Sequence, residues 1–221
     1  MTTSALSDRI FAAFLFDMDG TIINSMDATE RAWSAWARRH GIDVETFLPT
    51  IHGVRGIETI SRLQLPGLDP HAEARDVLLA EIEDVAGVAA IAGAASFLAS
   101  LPENRWAIVT SAPRELAIRR LGAAGLPLPD VFITGEDVEH GKPAPDCFLL
   151  AAQRLGLPIE DCLVFEDAPA GIQAAEAAGA SVVVVTATHR YLFETDHPSI
   201  LGYEALAAQH LMDGGLQLGP A

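Results

Sequence analysis

The sequence has little positive charge. Fourteen Lys and Arg residues stand against 30 Asp and Glu, which leaves a net charge of −16 at pH 7 over 221 residues. A protein so acidic repels nucleic acid and anionic membrane surfaces, because both carry the same sign of charge. We therefore exclude both as general partners. Any small anionic ligand must be held where the chain concentrates its few cations.

Cysteine and long apolar runs are also scarce. The two cysteines, Cys147 and Cys162, lack C-x-x-C and metal-ligand spacing, so we expect small buried thiols in a reducing compartment. No stretch of about 18 uncharged apolar residues is present to span a membrane. The apolar run near the N terminus lacks the basic segment of a signal peptide. These features predict a soluble, cytoplasmic protein, and the acidic surface favours a monomer.

Short apolar runs alternate with helical patterns along the chain. Strand character occurs at 11–16, 106–109, 131–134, 162–165 and 181–186. Helical spacing occurs at 114–124, 145–155 and 168–178. This alternation predicts a parallel sheet covered by helices, the α/β doubly wound architecture. No G-x-G-x-x-G follows any of these strands, which argues against a nicotinamide-binding enzyme.

A helical insertion interrupts the α/β pattern after the first strand. Almost ninety residues separate the first two strands, with helical patterns at 27–40, 44–51, 56–63, 70–85 and 94–101. We predict a helical cap at 25–90 inserted into a core formed by 1–24 and 91–221. Trp33 and Trp36 should pack inside the cap, because they lie three residues apart on one helix. The Gly- and Pro-containing tail, 214–221, is expected to be frayed.

Carboxylates follow two of the predicted strands. Asp17 and Asp19 come directly after the first strand, and Glu166 and Asp167 end the strand near residue 165. The carboxyl ends of parallel strands form the ligand-binding edge of such a sheet. Like charges this close need a cation or a retained proton, so the pattern favours a divalent metal with one nucleophile and one acid. Taken singly, each pair could instead be an acidic loop or helix cap.

A hydroxyl pair and one lysine are the candidate phosphate ligands. Thr110 and Ser111 end the strand that begins at Trp106, where a hydroxyl can donate to a phosphate oxygen. The chain uses thirteen arginines but a single lysine, Lys142, on a Pro-stiffened loop before a helix. An ammonium is a compact charge suited to phosphate or to a crowded carboxylate cluster.

Four motifs in this order resemble those of the haloacid dehalogenase superfamily. They are D-M-D-G-T at 17–21, Ser111, G-K-P-A-P-D at 141–146 and F-E-D-A-P-A-G at 165–171. The predicted insertion lies where that superfamily carries its C1 cap. The cap segments E-R-A-W-S-A-W-A-R-R-H-G and I-H-G are similar to bacterial sugar and sugar-alcohol phosphatases. The H-G-x-R pattern at 52–55 also resembles yeast glycerol-phosphate and deoxyglucose-phosphate phosphatases.

The resemblance implies a role for each motif residue. It implies Mg²⁺-dependent hydrolysis of a small sugar or polyol phosphate, in which Asp17 forms an aspartyl-phosphate and Asp19 acts as general acid and base. Mg²⁺ would bind the Asp17 carboxylate, the Asp19 carbonyl and Asp167, with support from Glu166. The transferring phosphoryl group would be held by Thr110, Ser111 and Lys142.

The cap is expected to select the leaving group, and other activities remain open. Arg55 and His52 are the candidate substrate contacts of the cap, and Arg114 either reaches the substrate or is a surface charge. A β-phosphoglucomutase-like enzyme is one alternative, although Thr29 stands where that cap carries a histidine. Asp19 argues against a dehalogenase, and the lack of a cap lysine argues against a phosphonate hydrolase. A non-catalytic phosphate-binding module is the remaining alternative.

Overall fold

A computed structural model describes residues 9–191, 194–212 and 214–221. The strands are β1 Ile10–Phe11, β2 Ala13–Phe16, β3 Ile23–Asn24, β4 Ala89–Ala90, β5 Trp106–Val109, β6 Val131–Ile133, β7 Cys162–Glu166, β8 Ser181–Val185, β9 Ser199–Ile200, β10 Leu206–His210 and β11 Leu216–Pro220. The α-helices are α1 Met26–Arg39, α2 Val44–Phe47, α3 Gly56–Ser61, α4 Pro70–Glu83, α5 Ala94–Ala99, α6 Arg114–Ala124, α7 Asp146–Leu155 and α8 Pro169–Ala178.

Six parallel strands form the central sheet, in the spatial order β6-β5-β2-β7-β8-β9. Every residue of β2, β5 and β7 is buried, as expected for strands covered on both faces. Phe97 and Leu121 of α5 and α6 pack on one face, while Phe148 and Ala175 of α7 and α8 pack on the other. The predicted α/β doubly wound core with an inserted helical cap is confirmed.

The inserted helices α1 to α4 have a hydrophobic cluster of their own. Trp33 and Trp36 lie 5% and 2% exposed, and their ring centroids lie 5.8 and 5.7 Å from that of Phe47. The expectation that both tryptophans belong to the cap interior is confirmed. The division at 25–90 stays a proposal, supported by this cluster. The first eight residues of the predicted 1–24 segment lie outside the described part of the chain.

A pair of very short strands connects the cap to the core. β3 pairs antiparallel with β4, in the register Ile23 to Ala90 and Asn24 to Ala89. The sequence did not predict these strands, because two residues are too few to show a period. Both connections between core and cap therefore run side by side.

The prediction of a frayed tail at 214–221 is wrong. β11 pairs antiparallel with both β10 and β1. Leu216 and Leu218 alternate along this strand and lie 1% and 2% exposed, so burial of two leucines holds the segment in place. β1 belongs to this small sheet, which explains why the predicted strand 11–16 is divided at Ala12.

Two expectations from composition can be compared with the structure. Cys147 and Cys162 are free and buried, as predicted. Among the described residues, no helix combines the length and the apolar character that crossing a membrane requires.

Candidate active site

Three buried carboxylates meet at the carboxyl edge of the sheet. Asp17 follows β2, Glu166 ends β7 and Asp167 comes next, and β2 and β7 are parallel neighbours. One carboxylate oxygen from each residue lies within 4.8 Å of the others. The residues are 5%, 0% and 6% exposed. Carboxylates this close and this buried need a positive charge or a proton between them.

Lys142 supplies one positive charge to this cluster. Its Nζ donates to Asp17 Oδ1 at 2.5 Å, to Glu166 Oε1 at 2.8 Å and to the Val109 carbonyl at 3.2 Å. These three bonds use all the N–H groups of the ammonium. At 2% exposed, the single lysine of the chain lies inside the carboxylate cluster.

Glu166 is fixed by the backbone as well as by the lysine. Its Oε2 accepts from the N–H groups of Asp167 at 2.7 Å and Ala168 at 2.8 Å. Gly171 on α8 leaves the space for this carboxylate, since a Cβ there would lie 1.5 Å from Glu166 Oε1. Both oxygens of Glu166 already have donors, which suits a supporting role at the site.

The protonation of the cluster reflects burial and an excess of negative charge. Burial raises the pKa of Asp17, an effect that Lys142 opposes and Glu166 reinforces. Burial followed by the charges of Glu166 and Asp17 also raises the pKa of Asp167. Burial would lower the pKa of Lys142, but the adjacent carboxylates raise it, so the ammonium stays charged. Three carboxylates against one ammonium leave a hard-oxygen donor set of the kind that binds Mg²⁺.

Asp19 lies beside this cluster and is held by two donors. Its Oδ1 accepts from Ser25 Oγ at 2.5 Å and from Arg120 Nη1 at 2.9 Å. Sequence reasoning missed Arg120. It is one of thirteen arginines in the chain, and it lies on a helix of ordinary composition. A signal was present, because Arg120 lies three and four residues after the buried Ala117 and Leu116 and so faces the core.

The two hydroxyl candidates occupy different environments. Ser111 Oγ donates to the carbonyl of Gly53 in the cap at 2.9 Å. Thr110 is buried, and its Oγ1 accepts from the Ala112 N–H at 3.1 Å. Ser111 therefore lies at the contact between core and cap, and phosphate binding by either residue stays a prediction.

A cavity of about 330 Å³ separates the sheet edge from the cap. Asp17, Asp19 and Ser111 line it from the core. The cap contributes mostly apolar side chains, namely Met26, Trp33, Ile51, Val54, Ile57, Ala74, Val77 and Leu78. A cavity of this size is at the small end of ligand pockets, so it suits a small molecule.

Arg55 joins the cap to the core. Its guanidinium bonds to Glu58 and donates to the carbonyls of Gly135, Val138 and Glu139. All its N–H groups are used in these bonds. Contact with a substrate stays a prediction, and it would require Arg55 to exchange one of these partners.

His52 and Arg114 differ in their access to the cavity. His52 lines the cavity, and burial lowers its pKa, which favours the neutral imidazole. Arg114 ion-pairs with Asp137 at 3.1 Å and lies over the Phe132 ring at 4.9 Å. This arrangement matches the surface-charge reading of Arg114.

Comparison with known proteins identifies the family. The model of the haloacid dehalogenase-like hydrolase family matches residues 11–179. The chain belongs to this family. The matched segment contains the whole carboxylate cluster, Lys142 and the cap, so the predicted resemblance is confirmed.

Several curated relatives of this hydrolase are named as phosphatases. The chain is 45% identical over 178 residues to hexitol phosphatase A of Escherichia coli (strain K12), covering 79% of this chain and 82% of that one. It is 33% identical over 226 residues to glycerol-1-phosphate phosphohydrolase 2 of Saccharomyces cerevisiae (strain ATCC 204508 / S288c), covering 95% and 86%. The predicted enzyme class, phosphoric monoester hydrolase, is thereby confirmed.

A solved structure extends the similarity to three dimensions. The crystal structure of CbbY from Rhodobacter sphaeroides in complex with phosphate matches with a TM-score of 0.72 and 25% identity. The match covers 87% of this chain and 94% of that one. The similarity therefore includes the cap as well as the core.

Proposed function

We propose that the enzyme hydrolyses a small sugar or polyol phosphate through an aspartyl-phosphate on Asp17. The observation that carries this proposal is the bond from Lys142 Nζ to Asp17 Oδ1 beneath a cavity of about 330 Å³. A buried carboxylate aimed at a cavity and oriented by an ammonium is equipped to attack phosphorus. The relatives named for hexitol and glycerol 1-phosphate support a polyol leaving group.

In the first half-reaction, a carboxylate oxygen of Asp17 forms a bond to phosphorus as the bond to the leaving oxygen breaks. Asp19 gives its proton to the departing alkoxide. Lys142 and Ser111 each exchange one present acceptor for an oxygen of the transferring phosphoryl group, and Lys142 helps to neutralise its charge. In the second half-reaction, Asp19 takes a proton from water as the water oxygen bonds to phosphorus and the bond from phosphorus to the Asp17 oxygen breaks. This releases inorganic phosphate and restores the Asp17 carboxylate.

The carboxylate cluster fits Mg²⁺ as the cofactor. Asp17, Asp167 and the carbonyl of Asp19 would hold the ion, with Glu166 in support. When bound, the metal supplies positive charge beside the transferring phosphoryl group. The three clustered carboxylates support this assignment, because a single ammonium neutralises only part of their charge.

We infer that the cap limits the size of the leaving group that fits the cavity and the access of water to it. Its apolar side chains cover most of the cavity, so a polyol would lie with its C–H face against them. His52 is the cap residue we assign to a substrate hydroxyl. We also propose that the enzyme is a cytoplasmic monomer, as its composition predicts.

Phosphate release from a panel of esters, with Mg²⁺ or with EDTA, tests the proposal. The panel holds hexose 1- and 6-phosphates, fructose 1-phosphate, hexitol phosphates, glycerol phosphate and deoxyglucose 6-phosphate. We expect Mg²⁺-dependent release with a preference for one leaving group. Asp17→Asn should abolish release with the fold intact, and activity retained in that variant would contradict the nucleophile assignment.

The same panel separates the alternatives. β-Glucose 1-phosphate with a bisphosphate primer tests mutase turnover in the same run. If no ester releases phosphate and the primed substrate is isomerised, the result would support the mutase. Absence of both reactions in a folded, Mg²⁺-binding protein would favour a non-catalytic module.

A further inference from the structure

Arg120 connects the cap to Asp19 through a buried guanidinium. The residue lies on α6 and is only 4% exposed. Its Nη1 donates to Asp19 Oδ1 at 2.9 Å. Its Nη2 donates to Thr29 Oγ1 on α1 at 2.7 Å and to Glu81 Oε1 on α4 at 2.9 Å. One side chain of the core therefore bonds two cap helices and the candidate general acid.

The two carboxylate oxygens of Asp19 differ in their hydrogen bonds. Oδ1 accepts from both Arg120 and Ser25. Among the described residues, no donor bonds to Oδ2. Oδ2 is therefore the Asp19 oxygen that is free to meet a substrate in the cavity.

We propose that Arg120 is a positioning residue, which holds Asp19 with Oδ2 free for proton transfer, and that its bonds to Thr29 and Glu81 make this placement depend on a seated cap. The inference rests on the proposed role of Asp19 as general acid. It adds that the cap, besides covering the cavity, orders the proton donor through Arg120. Proton transfer needs this order because it requires a hydrogen-bond distance to the leaving oxygen.

The test compares two substrates that differ in their need for an acid. Acetyl phosphate releases acetate, which leaves without protonation, whereas glycerol phosphate releases an alkoxide, which needs a proton. The ratio kcat/KM covers only the steps up to formation of the aspartyl-phosphate, so slower hydrolysis of that intermediate does not affect it. Both substrates are assayed with saturating Mg²⁺.

Arg120→Met should lower kcat/KM for glycerol phosphate by about 10²-fold, the lower end of typical general acid contributions. The value for acetyl phosphate should change by about threefold or less. Arg119→Met is the matched control, because Arg119 is exposed and, within the described part of the chain, its side chain donates to the Ile82 carbonyl of α4 alone. The control should leave the ratio between the two substrates unchanged.

An equal loss for both substrates in Arg120→Met would overturn the positioning role and indicate a structural one. Wild-type protein that releases phosphate from neither acetyl phosphate nor any ester of the panel would instead contradict the proposed function, and a panel ester that is hydrolysed faster takes the place of glycerol phosphate in the comparison. If Arg120→Met does not fold because Glu81 is left buried without a partner, Arg120→Met with Glu81→Met removes both charges and gives the same test.

Glu81→Ala tests the part of the proposal that concerns the cap. It keeps the bond from Arg120 to Asp19 and removes the ion pair to α4. The substrate ratio should change in the same direction as in Arg120→Met, but by less. An unchanged ratio would mean that the cap does not act on Asp19 through Arg120.

Discussion

Replacing Gly171 with alanine should destabilise the protein and remove most of its activity, although alanine is the better helix former. Gly171 lies inside α8, where the propensity of alanine alone would add about 1 kcal/mol of stability. A Cβ at this position would lie 1.5 Å from Glu166 Oε1 and 2.0 Å from its carboxyl carbon. The carboxylate therefore has to leave its place.

The cost can be worked out from the bonds that Glu166 would lose. They are the bonds from Lys142 Nζ and from the N–H groups of Asp167 and Ala168. At about 1.5–3 kcal/mol for each bond to a charged group, less the helix gain, the loss is about 3.5–8 kcal/mol. This corresponds to a fall in Tm of at least about 7 °C for a chain of this size.

Thermal unfolding and phosphate release measure the effect. Phosphate release should fall by about 10²-fold. Asp167 is the next residue, and its N–H is bonded to the displaced carboxylate, so Asp167 should move with Glu166. The matched control is Gly122→Ala on α6, where nothing lies within 4 Å of the added Cβ and stability should rise by about 0.5–1 kcal/mol. If both variants had the same Tm and the same activity, the supporting role of Glu166 would be refuted.

Three further predictions concern the lysine, the metal and the thiols. Lys142→Arg should lower phosphate release by about 10²-fold or more, since a planar guanidinium does not replace a point charge in a closed site. Near-normal rates would contradict the inference that an ammonium is required at this position. EDTA should lower the Tm of the wild-type protein, because Mg²⁺ binding stabilises the native state, and Asp167→Asn should remove this difference. A wild-type Tm that is the same with and without EDTA would contradict the metal site. Burial raises the pKa of Cys147 to about 11 and of Cys162 to about 12, so neither should react with a thiol reagent at pH 8, where a thiol of pKa 11 is about 0.1% thiolate. Both should react after unfolding, and rapid labelling of the native protein would contradict their burial.

Elements with strong local signals could be predicted from the sequence. The predicted helix 114–124 has the bounds of α6, which begins after Pro113 and ends before Gly125 in the left-handed conformation. The predicted helix 168–178 differs from α8 by one residue and is ended by Gly179. Proline and glycine set these limits through the backbone alone, so no tertiary contact was needed.

The carboxylate cluster could also be predicted, because it follows from topology. Asp17 and Glu166 are far apart in sequence, but both end strands of one parallel sheet. Neighbouring parallel strands have their carboxyl ends at the same edge, so identifying the strands was sufficient.

Contacts between cap and core could not be predicted. Arg55 bonds carbonyls about eighty residues away, and Arg120 meets Glu81 from a different helix. Such pairs depend on how two packed units meet, and neither residue type nor spacing encodes that distance. The error at 214–221 has a similar cause, because the leucines of β11 are held by strands that pair only in the folded chain.

The pairing of β3 with β4 has a consequence for how such enzymes diversify. Because Asn24 and Ala89 lie opposite each other, the segment between them begins and ends at one point of the core. An insertion with adjacent ends can be exchanged as a cassette without moving the strands that carry the phosphate chemistry. Transplanting residues 25–88 between related chains should therefore transfer the choice of leaving group while the catalytic residues stay the same.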